Sequence, residues 1–392
     1  MRNESTDPLG RTADTIPVII AAKRLPTAKA RGAYRGIGAH ELAAPVLRSV
    51  LADVGLPADT VDDVILGNAT GGGGNVARLA ALTAGIPAQV PGLTVDRQCG
   101  SGLEAVVLAC RLIQAGAGQT YLAGGVESIS TAPARAHRGD DGSLEFFDRA
   151  QFAPLATGDP DAGVAAENVA TLYSISRERQ DAYALQSHHR ASAAALAGRF
   201  VQELVPLGGL SEDAGLHRKL TPALLARFPA AFHSAGTVTA GNSCQDSDGA
   251  AAVLVTSLAR ARDFAPDGLV FHDSATVGND PNVMGVGAAH SSRKLLARTG
   301  LGNPNDALVE FNEAFAAQVL AVADLLGLDP DCFNRDGGAL ALGHPYGASG
   351  AVSVVRLLSQ ARLRAEPGLP ALAMISMAGG MGISAQFSWE KF

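Results

Sequence analysis

Two stretches of this chain run through the same order of features, and that repetition is the strongest constraint on its fold. An apolar strand ends in asparagine at Asp63-Val64-Ile65-Leu66-Gly67-Asn68, and another does so at Ala307-Leu308-Val309-Glu310-Phe311-Asn312. Roughly thirty residues later each stretch has a Gly/Ser-rich turn opening a small-residue helix, Cys99-Gly100-Ser101-Gly102 in the first and Gly347-Ala348-Ser349-Gly350 in the second. Each then has a further strand ending in glycines, Gly124-Gly125 and Gly379-Gly380. Ordinary α/β grammar would also produce such features singly, but three in shared order favour duplication. Duplicated halves would bring two helix N-termini together near a pseudo-twofold axis, where an active site is readily built.

The first of these turns carries a thiol. Cys99 follows the extended Gly92-Leu93-Thr94-Val95 and stands at the start of an Ala/Val-rich helical pattern. A helix N-terminus presents unpaired N–H groups and partial positive charge, which favour thiolate over thiol. The bland alternative is a buried structural cysteine, a common fate of free Cys.

Composition narrows the function classes. With 392 residues the chain exceeds one core, so two or three domains are expected. It is 47% hydrophobic and 18% charged, a globular balance, and its net charge of −7 offers no basic field for nucleic acid. The four cysteines, Cys99, Cys110, Cys244 and Cys332, are widely spaced, with no C-x-x-C or H-E-x-x-H, so no metal site is expected and a reducing cytoplasm fits. Residues 1–14 are polar, without the apolar core of a signal peptide, and no apolar run suggests a membrane span. Strand–helix alternation runs to about residue 128 and returns from about 250. Between them the texture is richer in charge, His and Pro, with one long helix predicted from about Ser176, as its cap, to Gly198. No G-x-G-x-x-G, G-K-[ST] or G-x-S-x-G is found, so nucleotide-cofactor and hydrolase readings lack support.

Further segments stand out in order: Ala123-Gly124-Gly125-Val126-Glu127-Ser128, Ala166-Glu167-Asn168-Val169-Ala170, Gly236-Thr237-Val238-Thr239-Ala240-Gly241-Asn242, Asn312-Glu313-Ala314-Phe315-Ala316, Gly337-Gly338-Ala339-Leu340-Ala341-Leu342-Gly343-His344-Pro345 and Ala378-Gly379-Gly380-Met381-Gly382. With the Cys99 turn, and over nearly the whole chain from about residue 16, they resemble the thiolase family, the coenzyme A-dependent enzymes that make or cleave 3-ketoacyl thioesters. The resemblance implies an α/β thiolase fold: duplicated mixed-sheet domains in five layers with an inserted loop domain. Residues 1–14 read by themselves as a flexible tail; the resemblance implies an N-terminal domain at 15–128 continued by about 247–267, an inserted coenzyme A-binding domain at 129–246, and a C-terminal domain at 268–392. It also implies a homodimer or homotetramer acting on acyl-CoA thioesters, with coenzyme A as substrate and no permanently bound cofactor. A pantetheine-bearing acyl carrier protein stands as the alternative carrier.

Thiolysis needs a nucleophile for the keto carbon, a sink for the tetrahedral oxyanion and stabilisation of the departing enolate. By resemblance Cys99 is the nucleophile. His344 takes its proton and faces the thioester oxygen, though a His beside Pro in a Gly-rich loop is also an ordinary turn residue. Asn312 holds a water in the enolate oxyanion hole, where it could instead simply cap a strand end. Glu313 has the plain reading of a helix-start carboxylate. The N–H groups of Cys99 and Ala378 form the other oxyanion hole. Ala378 stands where the family has glycine, so its backbone angle must tolerate a Cβ.

The departures are informative. Ser376 occupies the position of the family's second cysteine, the acid/base of carbon–carbon chemistry, and a hydroxyl is a far weaker acid than a thiol. General acid–base catalysis contributes roughly 10²–10⁴-fold, so carbon–carbon chemistry would suffer while acyl transfer onto Cys99 survives. Asp161-Ala162-Gly163 replaces His-Met-Gly, and Ala162 gives room for a longer or branched acyl group. Met284 and Phe315 match pocket-lining positions. In Asn242-Ser243-Cys244-Gln245-Asp246 the usual Ala-Ser-Gly that contacts the pantetheine arm is altered, Cys244 replacing the serine and Asp246 adding an acid. Cys244 either supplies the missing thiol or is a small buried residue. Arg218, with His217 and Lys219, is a candidate for the nucleotide end of coenzyme A, whereas Arg177 and Arg179 read as a solvated helix face and His188 and His189 as surface or packing residues. Two further functions stay open at this stage: a divergent acyltransferase or chain-release enzyme, and a non-catalytic thioester-binding subunit.

Overall fold

The computed structural model describes residues 12–216, 219–300 and 304–392. Most of the expected tail and the candidate Arg218, with His217, lie outside these residues. The first half holds strands β1 (Pro17–Arg24), β2 (Ala28–Lys29), β3 (Asp63–Gly67), β4 (Gly92–Val95) and β5 (Thr120–Glu127), with helices α1 (Ala39–Val54), α2 (Val76–Thr83) and α3 (Ser101–Gln114). A long excursion follows, containing the hairpin β6 (Arg135–Arg138) and β7 (Leu144–Phe147) and helices α4 (Ala162–Leu172), α5 (Arg177–Leu196) and α6 (Pro222–Leu225). The chain returns through β8 (Ser247–Ser257), α7 (Leu258–Phe264) and β9 (Asp267–Gly278). It closes with α8 (Gly287–Thr299), β10 (Leu308–Phe311), α9 (Ala316–Leu326), α10 (Ala339–Leu342), α11 (Tyr346–Arg364), β11 (Leu369–Met377) and β12 (Met381–Lys391).

The strands order as β10-β11-β12-β9-β1-β8-β5-β3-β4, so each half contributes one mixed set. Among the described residues the two sets pair only through the short antiparallel register of Val18 with Val270 and Ile19 with Leu269. Helices α3 and α11 pack against each other between the two sets, where Val106, Cys110 and Ile113 of α3 share a core with Val354, Val355 and Leu358 of α11. Leu103, Val106, Val107, Cys110 and Ile113 recur at three- and four-residue steps, the spacing of one buried helix face. A second core lies under α1 and α2, and a third under α8, α9 and α4. Helices, strands, helices, strands and helices thus make five layers.

Small residues let the central helices approach. A Cβ on Gly102 would lie 2.8 Å from the Gly347 oxygen, and one on Gly350 2.5 Å from the Leu103 nitrogen. The two helix N-termini therefore touch at the centre of the molecule, as duplication requires. One detail differs from the sequence expectation. Gly124 and Gly125 lie inside β5 rather than past its end, because a Cβ on Gly125 would sit 1.9 Å from the Gly347 oxygen and one on Gly124 2.1 Å from the Ala251 oxygen. Gly379 and Gly380 do form the turn after β11, both at positive φ.

Buried ion pairs fasten the excursion to this frame. Arg24 pairs with Glu203 and Asp213, each at 2.7 Å, and Arg356 of α11 pairs with Glu203 and, at 2.6 Å, with Asp336. Removing one partner of such a set leaves an uncompensated buried charge, a cost of about 3–5 kcal/mol. Among the described residues no helix is long and apolar enough to cross a membrane.

Candidate active site

Cys99 sits two residues before α3, in a turn rather than in the helix itself. The turn is wound by local bonds. Asp96 accepts the Gln98 N–H (2.9 Å), and Ser101 Oγ accepts the Arg97 N–H (2.8 Å) while donating to the Gln98 carbonyl (2.5 Å). These hold Gln98 at φ 50°, a left-handed conformation that costs a side-chain-bearing residue about 1–2 kcal/mol. A Cβ on Gly100 would land 2.1 Å from the Met377 sulfur, which is how closely the end of β11 packs on the turn.

The expectation of a resting thiolate is corrected here. Burial pushes the Cys99 thiol up to about 12, outweighing the Ala378 and Cys99 backbone N–H groups that point at the sulfur and favour its anion. The helix-terminal field is too weak to offset loss of water. Ala378 has no positive φ; Gly379 and Gly380 take the left-handed positions of the turn, so the Cβ at 378 is tolerated and its N–H faces Cys99.

His344 is buried, 2% exposed, and burial lowers its imidazole to about 4, so it is neutral near pH 7. Its Nδ1 lies 2.6 Å from Ser349 Oγ, and that hydroxyl donates to the Pro345 carbonyl at 3.0 Å. A hydroxyl has one proton, so Nδ1 must carry the hydrogen and Nε2 the lone pair. Nε2 is buried with no protein partner. The Asn312 side-chain nitrogen is likewise buried and unpartnered, while its backbone N–H is held by the Met374 carbonyl (3.1 Å). An orphaned buried polar atom costs about 1–3 kcal/mol, and two in one region mark a place built for a polar ligand.

Glu313, next to Asn312, is not a helix-start carboxylate. It is fully buried and accepts from Tyr183 (2.8 Å), Ser187 (2.6 Å), Asn334 (2.7 Å) and the Leu340 N–H (3.2 Å), so it knits α5 and α10 to the loop that presents Asn312. Ser376 donates to the Gly285 carbonyl (2.7 Å) and accepts the Ala288 N–H (3.0 Å), so its single proton is engaged.

The segment around Cys244 runs across the site. Ser243 bridges to Phe315, the Cys244 N–H bonds the Ala314 carbonyl (3.0 Å), the His344 N–H bonds the Gln245 carbonyl (3.1 Å), and Asp246 bridges to His344. Tyr346, whose ring centroid is 5.1 Å from that of His344, donates to Asp246. Phe315 meets Phe232 edge-on at 6.1 Å, and Phe232 covers Gly163 at the start of α4. Ala162 opens α4 and is exposed, while Met284 is buried in the turn Pro281–Val286 that Asn168 of α4 ties down through the Asn282 carbonyl (2.9 Å).

Sequence reasoning missed Ser349, Tyr346 and Phe232. Ser349 was visible only as part of a helix-opening turn, and nothing in the sequence marks Phe232. The reading of Arg177 as part of a solvated face is corrected: it is half-buried, pairs with Asp181 (2.7 Å) and binds the Leu225 and Phe228 carbonyls, so it docks α5 onto α6. Arg179 is exposed, as that reading expects, and forks onto the equally exposed Asp324 (3.0 Å). Ser176 caps α5 as expected.

Residues 17–259 match the family model for the thiolase N-terminal domain and residues 269–388 that for the thiolase C-terminal domain. The chain is 45% identical over 373 residues to a Bacillus subtilis protein named "Putative acetyl-CoA C-acetyltransferase YhfS", covering 94% of this chain and 98% of the relative. It is 41% identical over 380 residues to a Staphylococcus aureus "Putative acetyl-CoA C-acetyltransferase VraB", covering 95% and 98%. Among solved structures it is similar to the Bacillus anthracis acetyl-CoA acetyltransferase (TM-score 0.89, 34% identity, 95% and 98% of the two chains). It is also similar to human mitochondrial 3-ketoacyl-CoA thiolase in complex with CoA (TM-score 0.88, 34% identity, 96% and 98%).

Proposed function

This chain belongs to the thiolase family, and on that footing we propose that it is an acyltransferase that forms an S-acyl intermediate on Cys99 and performs thiolysis, or the reverse Claisen condensation, of 3-ketoacyl-CoA. Coenzyme A is its substrate rather than a resident cofactor. The observation that carries the reading is the convergence of one thiol facing the Ala378 N–H with two buried, unpartnered side-chain nitrogens, His344 Nε2 and Asn312 Nδ2.

The chemistry follows from these states. At rest Cys99 is a thiol and His344 a neutral imidazole whose bare Nε2 faces the site. As the sulfur attacks the keto carbon, Nε2 takes its proton, and the Cys99 and Ala378 N–H groups receive the oxyanion. Collapse of that adduct breaks the carbon–carbon bond, leaving acyl-Cys99 and an enolate stabilised by Asn312 and by the imidazolium. The enolate takes up a proton and leaves as acetyl-CoA, coenzyme A replaces that proton by losing its own as its thiolate attacks acyl-Cys99, and the His344 proton returns to the departing sulfur.

Finer assignments belong to the same proposal. Residues 15–128 with about 247–267 form the N-terminal domain, 129–246 the inserted domain and 268–392 the C-terminal domain. Met284, Phe315 and Phe232 line the acyl pocket, and the small Ala162 suits a longer or branched acyl group. The protein is read as cytoplasmic. A homodimer or homotetramer is the expected assembly, supported by β4, an edge strand that exposes Leu93, and by the exposed Leu79 and Leu82 of α2.

One observation favours a second reading, acyl transfer with little carbon–carbon chemistry: the Ser376 proton is held by the Gly285 carbonyl. Intact-protein mass after mixing with acetoacetyl-CoA separates the two, with Cys99→Ala as control. An added acetyl group on the wild type alone means the bond was cut. An acetoacetyl adduct means thioester exchange without cleavage, and no adduct at all defeats both readings.

A further inference from the structure

We propose that Cys244 is the acid/base that serves the carbon–carbon step, donating its proton to the α-carbon of the departing enolate. The inference rests on the Cys99 acyl-transfer reading above. It begins from a shortage. Bond cleavage yields an enolate that must gain a proton, yet Ser376 donates its only proton to the Gly285 carbonyl and has one of its two lone pairs occupied by the Ala288 N–H.

Position comes first. Cys244 lies between two contacts that bracket the site, the Ser243–Phe315 bridge at the pocket and the Asp246–His344 bridge at the base. Its own backbone is pinned by the Ala314 carbonyl, two residues past Asn312, the residue whose amide stabilises the enolate. The ligand-facing character of this region comes independently from the unpartnered nitrogens of His344 and Asn312. Only two residues separate the Ser243 and Asp246 bridges, so Cys244 and Asp246 stay close to each other beside the site. The side chain of Asp246 takes the Tyr346 hydroxyl, and the Tyr346 ring rests on His344.

Electrostatics agree. Burial, then the charge of Asp246, then Cys99, hold the Cys244 thiol well above its ordinary value, so its proton stays on sulfur at rest. Burial and the neighbouring Asp246, Cys244 and Cys99 likewise disfavour an anion on the Tyr346 hydroxyl. A thioester enolate is a far stronger base than any thiolate, so transfer from Cys244 is downhill. The step balances: the S–H bond of Cys244 breaks, a C–H bond forms on the acetyl-CoA product, and the Cys244 thiolate recovers a proton from the incoming coenzyme A thiol. The coenzyme A thiolate so formed attacks acyl-Cys99.

The test measures two rates on each protein, acetyl loading of Cys99 from acetoacetyl-CoA, which requires bond cleavage, and acetyl loading from acetyl-CoA, which does not. Cys244→Ser is expected to lower the ratio of the first to the second by roughly 10²–10⁴-fold. Adding Ser376→Cys to that variant is expected to recover part of the ratio by supplying a thiol at position 376. A ratio unchanged in Cys244→Ser, whether both rates fall together or neither falls, overturns the proposal and leaves Cys244 a packing or pantetheine-contact residue. A wild type that loads acetyl from acetyl-CoA but never cleaves acetoacetyl-CoA also overturns it, with Cys99 acyl transfer intact. A wild type that loads from neither overturns the underlying reading instead.

Discussion

Asn68 and Asn312 occupy the same place in the two halves, each the residue after a buried strand, and they are used in opposite ways. The Asn68 amide is saturated: its nitrogen donates to the Val126 carbonyl (2.9 Å) and to Glu127 (2.8 Å), and its oxygen accepts the Gly71 N–H (3.0 Å). The Asn312 amide nitrogen has no protein partner. Each asparagine also has a buried glutamate near it. Glu127 takes Thr70, the Ala69 N–H and, across the pseudo-axis, the Gly347 N–H at 2.9 Å, so it clamps the start of α11. Glu313 takes four donors from the excursion and the C-terminal half. Duplication supplied two equivalent strand ends. One became scaffold by satisfying every bond, and the other kept a donor open at a standing energetic cost.

The sharpest way to break this comparison is on the open side. His344→Ala should slow acetyl loading of Cys99 by roughly 10²–10⁴-fold, since the thiol then has no base, read as the single-turnover rate by intact mass. Asn312→Ala should follow at about 10²–10³-fold, the usual cost of one oxyanion donor, with almost no loss of stability because no internal bond is removed. Asn68→Ala should do the reverse, destabilising the fold by about 1–3 kcal/mol in denaturant titration while the folded fraction keeps its rate. Equal stability losses from the two asparagine variants would end the division into scaffold and site.

The pH dependence tests the same asymmetry. His344 is held at about 4, below its ordinary value, so it remains a free base down to that region. The acid limb of Cys99 loading should therefore lie near pH 4 rather than near 6.5. Ser349→Ala removes the acceptor that fixes the tautomer, and a partial rate loss with no change in Cys99 accessibility to a thiol reagent is expected. A limb near 6.5 in the wild type would mean the imidazole is hydrated and not shielded as the geometry indicates.

Much of this was legible in sequence because it is local or repeated. The strand-end asparagines, the Gly/Ser turns and the helix caps follow from neighbours in the chain, and Cys99 and His344 stand in motif-like runs. What was not legible depends on packing between distant segments. Glu313 reads as a helix-start carboxylate until Tyr183, Ser187, Asn334 and Leu340 converge on it. The state of Cys99 reads as thiolate until its burial outweighs the N–H groups around it. Ser376 reads as a weak acid facing the site until its hydroxyl is found donating to the Gly285 carbonyl, 91 residues away. Phe232 meets Phe315 only because the excursion folds back onto it.

The smallest expected effect concerns Glu310, the strand residue two positions before Asn312. It has no counterpart in the first half, where Leu66 occupies the matching place before Asn68. Glu310 is 4% exposed, accepts one bond from Gln360 (2.6 Å), and burial, only partly offset by Arg356, raises its carboxyl to about 8. In the unfolded chain it ionises near its ordinary value of about 4.5. Between these values the folded state binds more protons than the unfolded one, so this group's contribution to stability falls as pH rises from about 4.5 to about 8. Glu310→Gln, which keeps an acceptor for Gln360 without a proton to lose, should leave stability near pH 4.5 little changed and raise it relative to wild type at pH 8.5. Urea titrations at the two pH values measure the difference. A difference of equal size at both would assign the effect to packing rather than to ionisation, and with it remove the buried titrating carboxyl that distinguishes the strand before Asn312 from its scaffold twin.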